Sequence, residues 1–491
     1  MFNRLKVAGI LVAAAGFMAA PAWVDAASDL KAVVDQSTKA MGVENLRTLV
    51  ISGEGADGCV GQPYNPNSDW WRRFSDKNYV RSIDFEARGW RLERVQGEGE
   101  NPGRGGCGAG PITDRTQNQV TMADSGSPWN NQLEYILLPE GFLRVALERN
   151  ATVKTTTVKG KKYTVVSFMG ENKATVNGYI DETGYVDRVE TTIDNNVLGD
   201  IVWDAVYTDW KDFGGVKFPT HILQHQGTPK YFELTVSDVK ANTPVDLTPP
   251  DRGGRGGGPR GRGRGAEEPI SEDLGGGFWL VTGGYGSLVT DFKDYIVVIE
   301  GPQNDMRAEQ IIAEAKRLVP NKPIKYVINT HSHFDHAGGL RAFVAEGASI
   351  ITQTINKPYY EKIFKDPHTL APDRLSQMNP QPKVKIESMT EKKILTDGEH
   401  TIELYHVQGS THNVGMIMAY LPKQKILVEA DEFNVGPANA STPTNINPYH
   451  PNLLANIERL HLEVDRIIPI HLPADNRKVA LAELKTAAGK N

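Results

Sequence analysis

The feature that most constrains this chain is the run Tyr326-Val-Ile-Asn-Thr-His331-Ser-His333-Phe-Asp335-His336-Ala-Gly338-Gly339. An apolar segment with the composition of a buried strand ends in three histidines and an aspartate within six residues. In an extended segment alternate side chains share a face, so His331, His333 and Asp335 can converge. His336 then points elsewhere, which suits a second metal rather than a fourth ligand on the first. Gly338 and Gly339 let the following helix pack close to the strand end. A surface loop that gathers histidines by chance is the plain alternative. Four metal-capable side chains in this order after a strand weigh against it.

This stretch resembles the HxHxDH motif of the metallo-β-lactamase superfamily, and the resemblance extends from about Gly275 to the C-terminus. The family's third histidine lies in a loop before a strand ending in Leu-Pro. Here Gly409-Ser-Thr-His412-Asn-Val-Gly-Met-Ile-Met-Ala-Tyr-Leu421-Pro422 has that form. His406 competes, but it falls within the preceding strand-like segment Thr401–Val407, so His412 is favoured. The family's bridging carboxylate ends the next strand, as Asp431 does after Lys425-Ile-Leu-Val-Glu-Ala. Its last histidine follows a late apolar strand, as His471 follows Arg466-Ile-Ile-Pro-Ile. One departure is Ser410-Thr411-His412-Asn413, where the family usually carries Gly-His-Thr.

The resemblance implies an α/β fold, an αββα sandwich of two face-to-face sheets with helices outside and a site on loops at one edge. It implies that His331, His333 and His412 hold one metal, that Asp335, His336 and His471 hold another, and that Asp431 bridges them. Two zinc ions are expected, with manganese or iron left open. Diiron relatives carry an acidic residue where His333 stands. The implied activity is metal-dependent hydrolysis through a metal-bridging hydroxide, with Asp335 orienting it and accepting its proton.

Substrate class is narrower than the superfamily. β-Lactamases usually carry Cys or Ser where Asp431 stands, and many carry Lys where Asn434 stands. An ester, lactone or related carbonyl is therefore expected as the small-molecule substrate, with a β-lactam as the alternative. The segment between Asp431 and His471 should overhang the metals, so Asn434, Tyr449 and His450 are candidate substrate contacts. Ordinary loop structure is the plainer reading of each. A reading from another class is a ligand carrier, in which an N-terminal sheet holds an apolar ligand and the metal domain is secondary.

The remaining organisation follows from composition. Arg4 and Lys6, the apolar stretch Val7–Ala20, and Val24-Asp25-Ala26 have the form of a signal peptide over residues 1–26, so the chain is expected to be exported, to the periplasm or beyond. The apolar stretch is short for a membrane span, and stable membrane insertion is not expected after cleavage; a retained anchor is the alternative. Residues 28–248 begin with a helix candidate, Asp29–Met41, and continue with alternating stretches separated by turn signals. This predicts a β-rich domain built on one large antiparallel sheet. The segment Ala205–Pro219 resembles the late strands of lipoprotein-carrier-like incomplete β-barrels. Residues 249–270 are an Arg/Gly-rich linker, read as a passive tether rather than an RNA-binding tract. Residues 275–491 form the metallo-β-lactamase-like domain. A formal net charge of −6 gives no support for a nucleic-acid partner. The two cysteines, Cys59 and Cys107, permit one disulfide in an exported chain, with two free thiols as the alternative.

Overall fold

The computed structural model describes residues 26–67, 73–99, 105–107, 113–250 and 268–490. The expected signal segment up to residue 25 and linker residues 251–267 lie outside them. No helix among the described residues is long and apolar enough to cross a membrane.

The N-terminal region opens with helix Ala26–Met41, whose Leu30, Val34 and Met41 are buried. Their spacing puts them on one face, as expected of an amphipathic helix. An 11-stranded sheet follows, with Thr48–Gly58 near its middle. That strand pairs antiparallel with Arg73–Asp84 on one side and with Lys230–Ala241 on the other. The first and last strands of the region are therefore neighbours, and the sheet holds its ends together. Burial alternates along strands such as Thr175–Ile180, as expected for a sheet with one covered face.

Two helices in this region, Trp129–Ile136 and Pro139–Glu148, depart from the expected pattern of strands and turns. The apolar run Tyr135-Ile-Leu-Leu138 between their centres cannot be told from a strand by composition. Proline at the first position of the second helix, where its missing N–H costs nothing, favours the helix. The Phe142 ring from this helix sits on Gly178 of the sheet, where a Cβ would lie 2.1 Å from it. Glycine there is required by close approach.

The C-terminal region contains a seven-stranded and a five-stranded sheet. Strands Ile296–Ile299 and Ile426–Glu429 are buried along their whole length. The reason is the layering. Phe278, Leu280, Val297 and Ile328 of one sheet pack with Leu404, Ile417, Val428 and Ile468 of the other. On the outer side of the larger sheet, Val298 and Val327 pack with Ile311, Leu340 and Phe343 of helices. On the outer side of the smaller, Met418 and Leu427 pack with Leu453, Ile457 and Leu484. The layers run helix, sheet, sheet, helix, the α/β sandwich following an antiparallel domain that the chain was expected to form.

The two regions touch directly. The turn after strand Val186–Asn195 places Val197, 3% exposed, in the cluster with Ala308, Leu340 and Phe343. Beside it Asn196 Nδ2 donates to Gln303 O at 2.7 Å. The Asp200 backbone N–H donates to Pro367 O at 2.8 Å, and the Thr369 N–H returns a bond to the Asp200 carboxylate at 2.8 Å. A second contact lies at the metal motif itself.

Candidate metal centre

Strand Ile324–Ile328 carries the chain into the interior, where Asn329, Thr330, His331 and His333 are all buried. The segment then leaves the extended conformation. Phe334–Ala337 is a single helical turn, so Asp335 does not alternate onto the face of His331 and His333 as a continued strand would have it. Asp335 and His336 instead reach a second cluster together. Asn329 Nδ2 donates to His336 O at 3.2 Å and ties the turn to the strand end.

His331, His333, His412 and Asp431 form one group, and Asp335, His336, Asp431 and His471 a second, with the candidate ligand atoms of each within 4.8 Å of one another. Asp431 belongs to both. Its Oδ2 lies 3.2, 2.9 and 3.1 Å from Nε2 of His331, His336 and His412, and its Oδ1 lies 2.8 Å from Nε2 of His471. Two tetrahedral ligands about 2.1 Å from one zinc ion lie about 3.4 Å apart, so the spacing of these atoms suits metal ligation. Asp431 follows strand Ile426–Glu429 with φ of 62°, a left-handed conformation that aspartate tolerates better than most residues. His406 stays outside the cluster, its Nε2 donating to Val414 O at 3.1 Å.

The outer nitrogens of three rings are tied to acceptors. His336 Nδ1 donates to Glu300 Oε2 at 3.1 Å. His331 Nδ1 donates to Thr330 Oγ1 at 3.1 Å, and Thr330 Oγ1 donates in turn to Glu300 Oε2 at 2.5 Å. His333 Nε2 donates to Pro63 O at 3.0 Å, while its Nδ1 is buried without a partner. A neutral imidazole has one N–H, so each bond leaves the inner nitrogen with a free lone pair. This is the chemistry of a metal site: buried lone pairs that face one another across a carboxylate, with no donor of their own.

For His331 and His333, electrostatics point the same way. Burial drives His331 well below its ordinary pKa, and burial with the nearby His412 drives His333 down to about 3. Both are held in the neutral form that binds metal. Burial also opposes charge on His336, but Asp335 and Asp431 outweigh it and raise its pKa well above the usual value. Burial works against ionisation of Asp431, yet His471, His336 and His412 hold its carboxyl well below the usual range.

Several of these partners were not legible in advance. Glu300 is fully buried, a single acid after the apolar strand Ile296–Ile299; that placement is a signal the sequence carried. The Tyr285 hydroxyl donates to Asp335 Oδ2 at 3.2 Å, and its ring lies 4.2 Å from His471. Burial, then the carboxylates of Asp335 and Asp431, raise the phenol's pKa, so it stays protonated and donating. Gln62 and Pro63 come from the N-terminal region. Gln62 Nε2 donates to Asp335 Oδ1 at 2.7 Å.

Of the expected substrate contacts, Tyr449 lies against the site, its ring 5.3 Å from His412 and its hydroxyl donating to Gly105 O at 3.0 Å. Asn434 is half-buried in the loop after Asp431. His450 does not suit the role. It is buried against the Phe433 ring at 5.2 Å and bonds to Ala487 O, because its helix turns that face toward the C-terminal helix. Cys59 and Cys107 are paired in a disulfide, their Cα atoms 6.1 Å apart.

Among curated proteins the chain is similar to the 2,4-dinitroanisole O-demethylase subunit alpha of Nocardioides sp. (strain JS1661), 23% identical over 203 residues, which are 41% of this chain. The match spans only 57% of that relative's length. Among solved structures it is similar to a metallo-beta-lactamase from Pontibacter korlensis, with TM-score 0.35 and 17% identity over 45% of this chain and 97% of that one. A metallo-beta-lactamase from Hirschia baltica gives TM-score 0.34 and 18% identity over 45% and 97%. Residues 299–437, which carry His331 through Asp431, match the model of the metallo-beta-lactamase superfamily, and it is this superfamily's fold that the C-terminal domain adopts.

Proposed function

We propose that this protein is a dinuclear zinc metallohydrolase acting on an ester, lactone or related carbonyl. One observation carries the reading: the inner nitrogens of His331, His336, His412 and His471 converge on the two oxygens of Asp431, and the outer nitrogens of His331 and His336 rest on fixed acceptors. When bound, a pair of divalent cations supplies an activated water and polarises the carbonyl under attack. The chain's own groups do the rest. Asp431 and the histidines hold the two positions close. Asp335 receives the proton of the attacking water, with Gln62 and Tyr285 fixing its carboxylate. The buried walls around His331 and His333 limit bulk water and strengthen each polar contact.

Asp431 and Asn434 take the places of the Cys or Ser and the Lys that β-lactamases use, which favours a carbonyl substrate without a β-lactam carboxylate. The curated relative's name brings a further class, an activated aryl methyl ether, into the test. The zinc-loaded chain is to be assayed with aryl esters, lactones, 2,4-dinitroanisole, a carbapenem and a cephalosporin. The expected result is a kcat/KM for an ester or lactone at least about tenfold above that of either β-lactam, lost on chelation. Faster turnover of a β-lactam than of every ester and lactone overturns the assignment.

A specific observation also supports ligand capture by the N-terminal sheet. A cavity of about 570 Å³ there is lined by Tyr79, Arg81, Trp90, Arg94, Glu134 and Phe232 among others. That volume suits a small organic molecule, and Arg81 lies 4.3 Å over the Trp90 ring. Quenching of Trp90 fluorescence by products or substrates of the hydrolysis, lost in Trp90→Phe, tests it. Export rests on the N-terminal residues, and the mass of the mature chain recovered from outside the cytoplasm tests that reading.

A further inference from the structure

Among the described residues, segments 59–67 and 105–107 of the N-terminal region reach the loops of the metal cluster. Residues 59–67 leave strand Thr48–Gly58 and lie against the ligand loops, and Cys107 pins them through the disulfide to residues 105–107. The two pieces are also joined by Gly106 N donating to Gln62 O at 3.1 Å. Their contacts with the C-terminal region fall on the loops that carry ligands. Phe334 N donates to Gly61 O at 3.0 Å, inside the metal motif. Gly61 has φ of +86°, and a Cβ there would lie 2.3 Å from the Phe334 ring, so the backbone itself rests on the motif. On the other side Val414 N donates to Tyr64 O at 2.9 Å and Gly105 N donates to Thr411 O at 2.9 Å, flanking His412.

We propose that this disulfide-pinned loop is part of the metal centre, with the Pro63 carbonyl and the Gln62 amide as the outer partners that orient His333 and Asp335. The inference rests on the metallohydrolase reading. A carbonyl can only accept, so Pro63 O requires the N–H of His333 to be on Nε2 and leaves the buried Nδ1 lone pair for metal. Asn413 Nδ2 donates to the same carbonyl at 3.2 Å and holds it in place. Gln62 takes Asp335 Oδ1, while Oδ2, which also accepts from the Tyr285 hydroxyl, faces His336 and His471 at 3.5 and 3.6 Å from their Nε2 atoms. The two contacts divide by site: Pro63 serves the His331/His333/His412 position and Gln62 the Asp335/His336/His471 position. Gln62 is thus a positioning residue, and the disulfide is what keeps both groups in reach of a domain more than 200 residues away in sequence.

The test measures zinc affinity by chelator competition on the full chain, without any reductant that binds zinc. Gln62→Ala should weaken the second zinc by about 10–100-fold and leave the first nearly unchanged. The Cys59→Ser/Cys107→Ser double variant should weaken both. Asp200→Ala, which removes the carboxylate's bond to Thr369 at the contact away from the metal motif, should change neither. Where a variant does not fold, long-range 1H–15N NMR of the zinc-loaded wild type decides: a proton on His333 Nε2 with zinc at Nδ1 is expected, and zinc at Nε2 overturns the proposal. Folded variants with wild-type affinity at both sites also overturn it. A wild-type chain that takes no zinc at all instead removes the metallohydrolase reading beneath it.

Discussion

In the C-terminal sandwich a strand such as Ile296–Ile299 is buried at every residue, whereas in the N-terminal sheet Thr175–Ile180 is buried at every second one. The first pattern comes from a sheet covered on both faces, the second from a sheet with one face covered. The contrast extends to chemistry. The ligand candidates lie in the sandwich, all after strand ends except His412, which lies in the loop before strand Ile417–Leu421. Among the described residues the N-terminal region supplies no ligand candidate; its Gln62 and Pro63 supply the donor and acceptor that aim two of them. Ligation needs rigid, dehydrated ends of strands; aiming needs only one well-held loop. A site can therefore be read in one region and completed by another.

Ligation and aiming separate most sharply at the third histidine. His412→Ala should abolish binding of one zinc, a larger loss than the roughly 10–100-fold that follows loss of an outer partner, whereas His406→Ala should leave both ions bound. Elemental analysis of the two variants checks this, and the reverse outcome would mean the ligand loop is misassigned.

A pH dependence should separate the regions next. Glu140, in helix Pro139–Glu148, is fully buried, and burial raises its pKa to about 7 from 4.5. The folded state thus keeps the proton to higher pH than the unfolded chain does. Stability is highest below about pH 4.5 on this account, falls between there and pH 7, and levels off above, by roughly 3 kcal/mol in all. Thermal midpoints at pH 5 and pH 8 should fall less in Glu140→Gln than in the wild type. An equal fall in both would show that Glu140 does not carry the effect.

Within the sandwich, Glu300→Ala removes the acceptor of His336 and the partner of Thr330 behind His331. Zinc affinity should drop by about 10–100-fold with the fold retained. Unchanged affinity would show that the ring orientation is set by packing alone.

The smallest effect should follow a cut in the Arg/Gly tract. A passive tether predicted that cleavage between Arg252 and Arg264 would release an independent catalytic domain. The contacts at Val197, Asp200 and residues 61–64 instead predict that the halves co-elute with activity intact. Separation of the two halves on gel filtration would return the N-terminal sheet to a bystander.

What the sequence made legible follows from how local each signal is. His331, His333, Asp335, His336, Asp431 and His471 each stand at or after an apolar run, and His412 in a loop before one, so short spacing located them. The helical turn at Phe334–Ala337 was not readable, because four residues carry no period. Helices Trp129–Ile136 and Pro139–Glu148 were hidden by an apolar run that suits a strand equally well. Gln62 and Pro63 were out of reach for a different reason. Their partners lie about 270 residues away, and one of the two groups is a backbone carbonyl, which leaves no trace in residue type.

Metal content tests the dinuclear centre most directly. Elemental analysis of the zinc-reconstituted full-length chain, after removal of loosely held ions, should find about two zinc ions per chain. No bound metal after reconstitution would contradict the dinuclear centre and everything built on it.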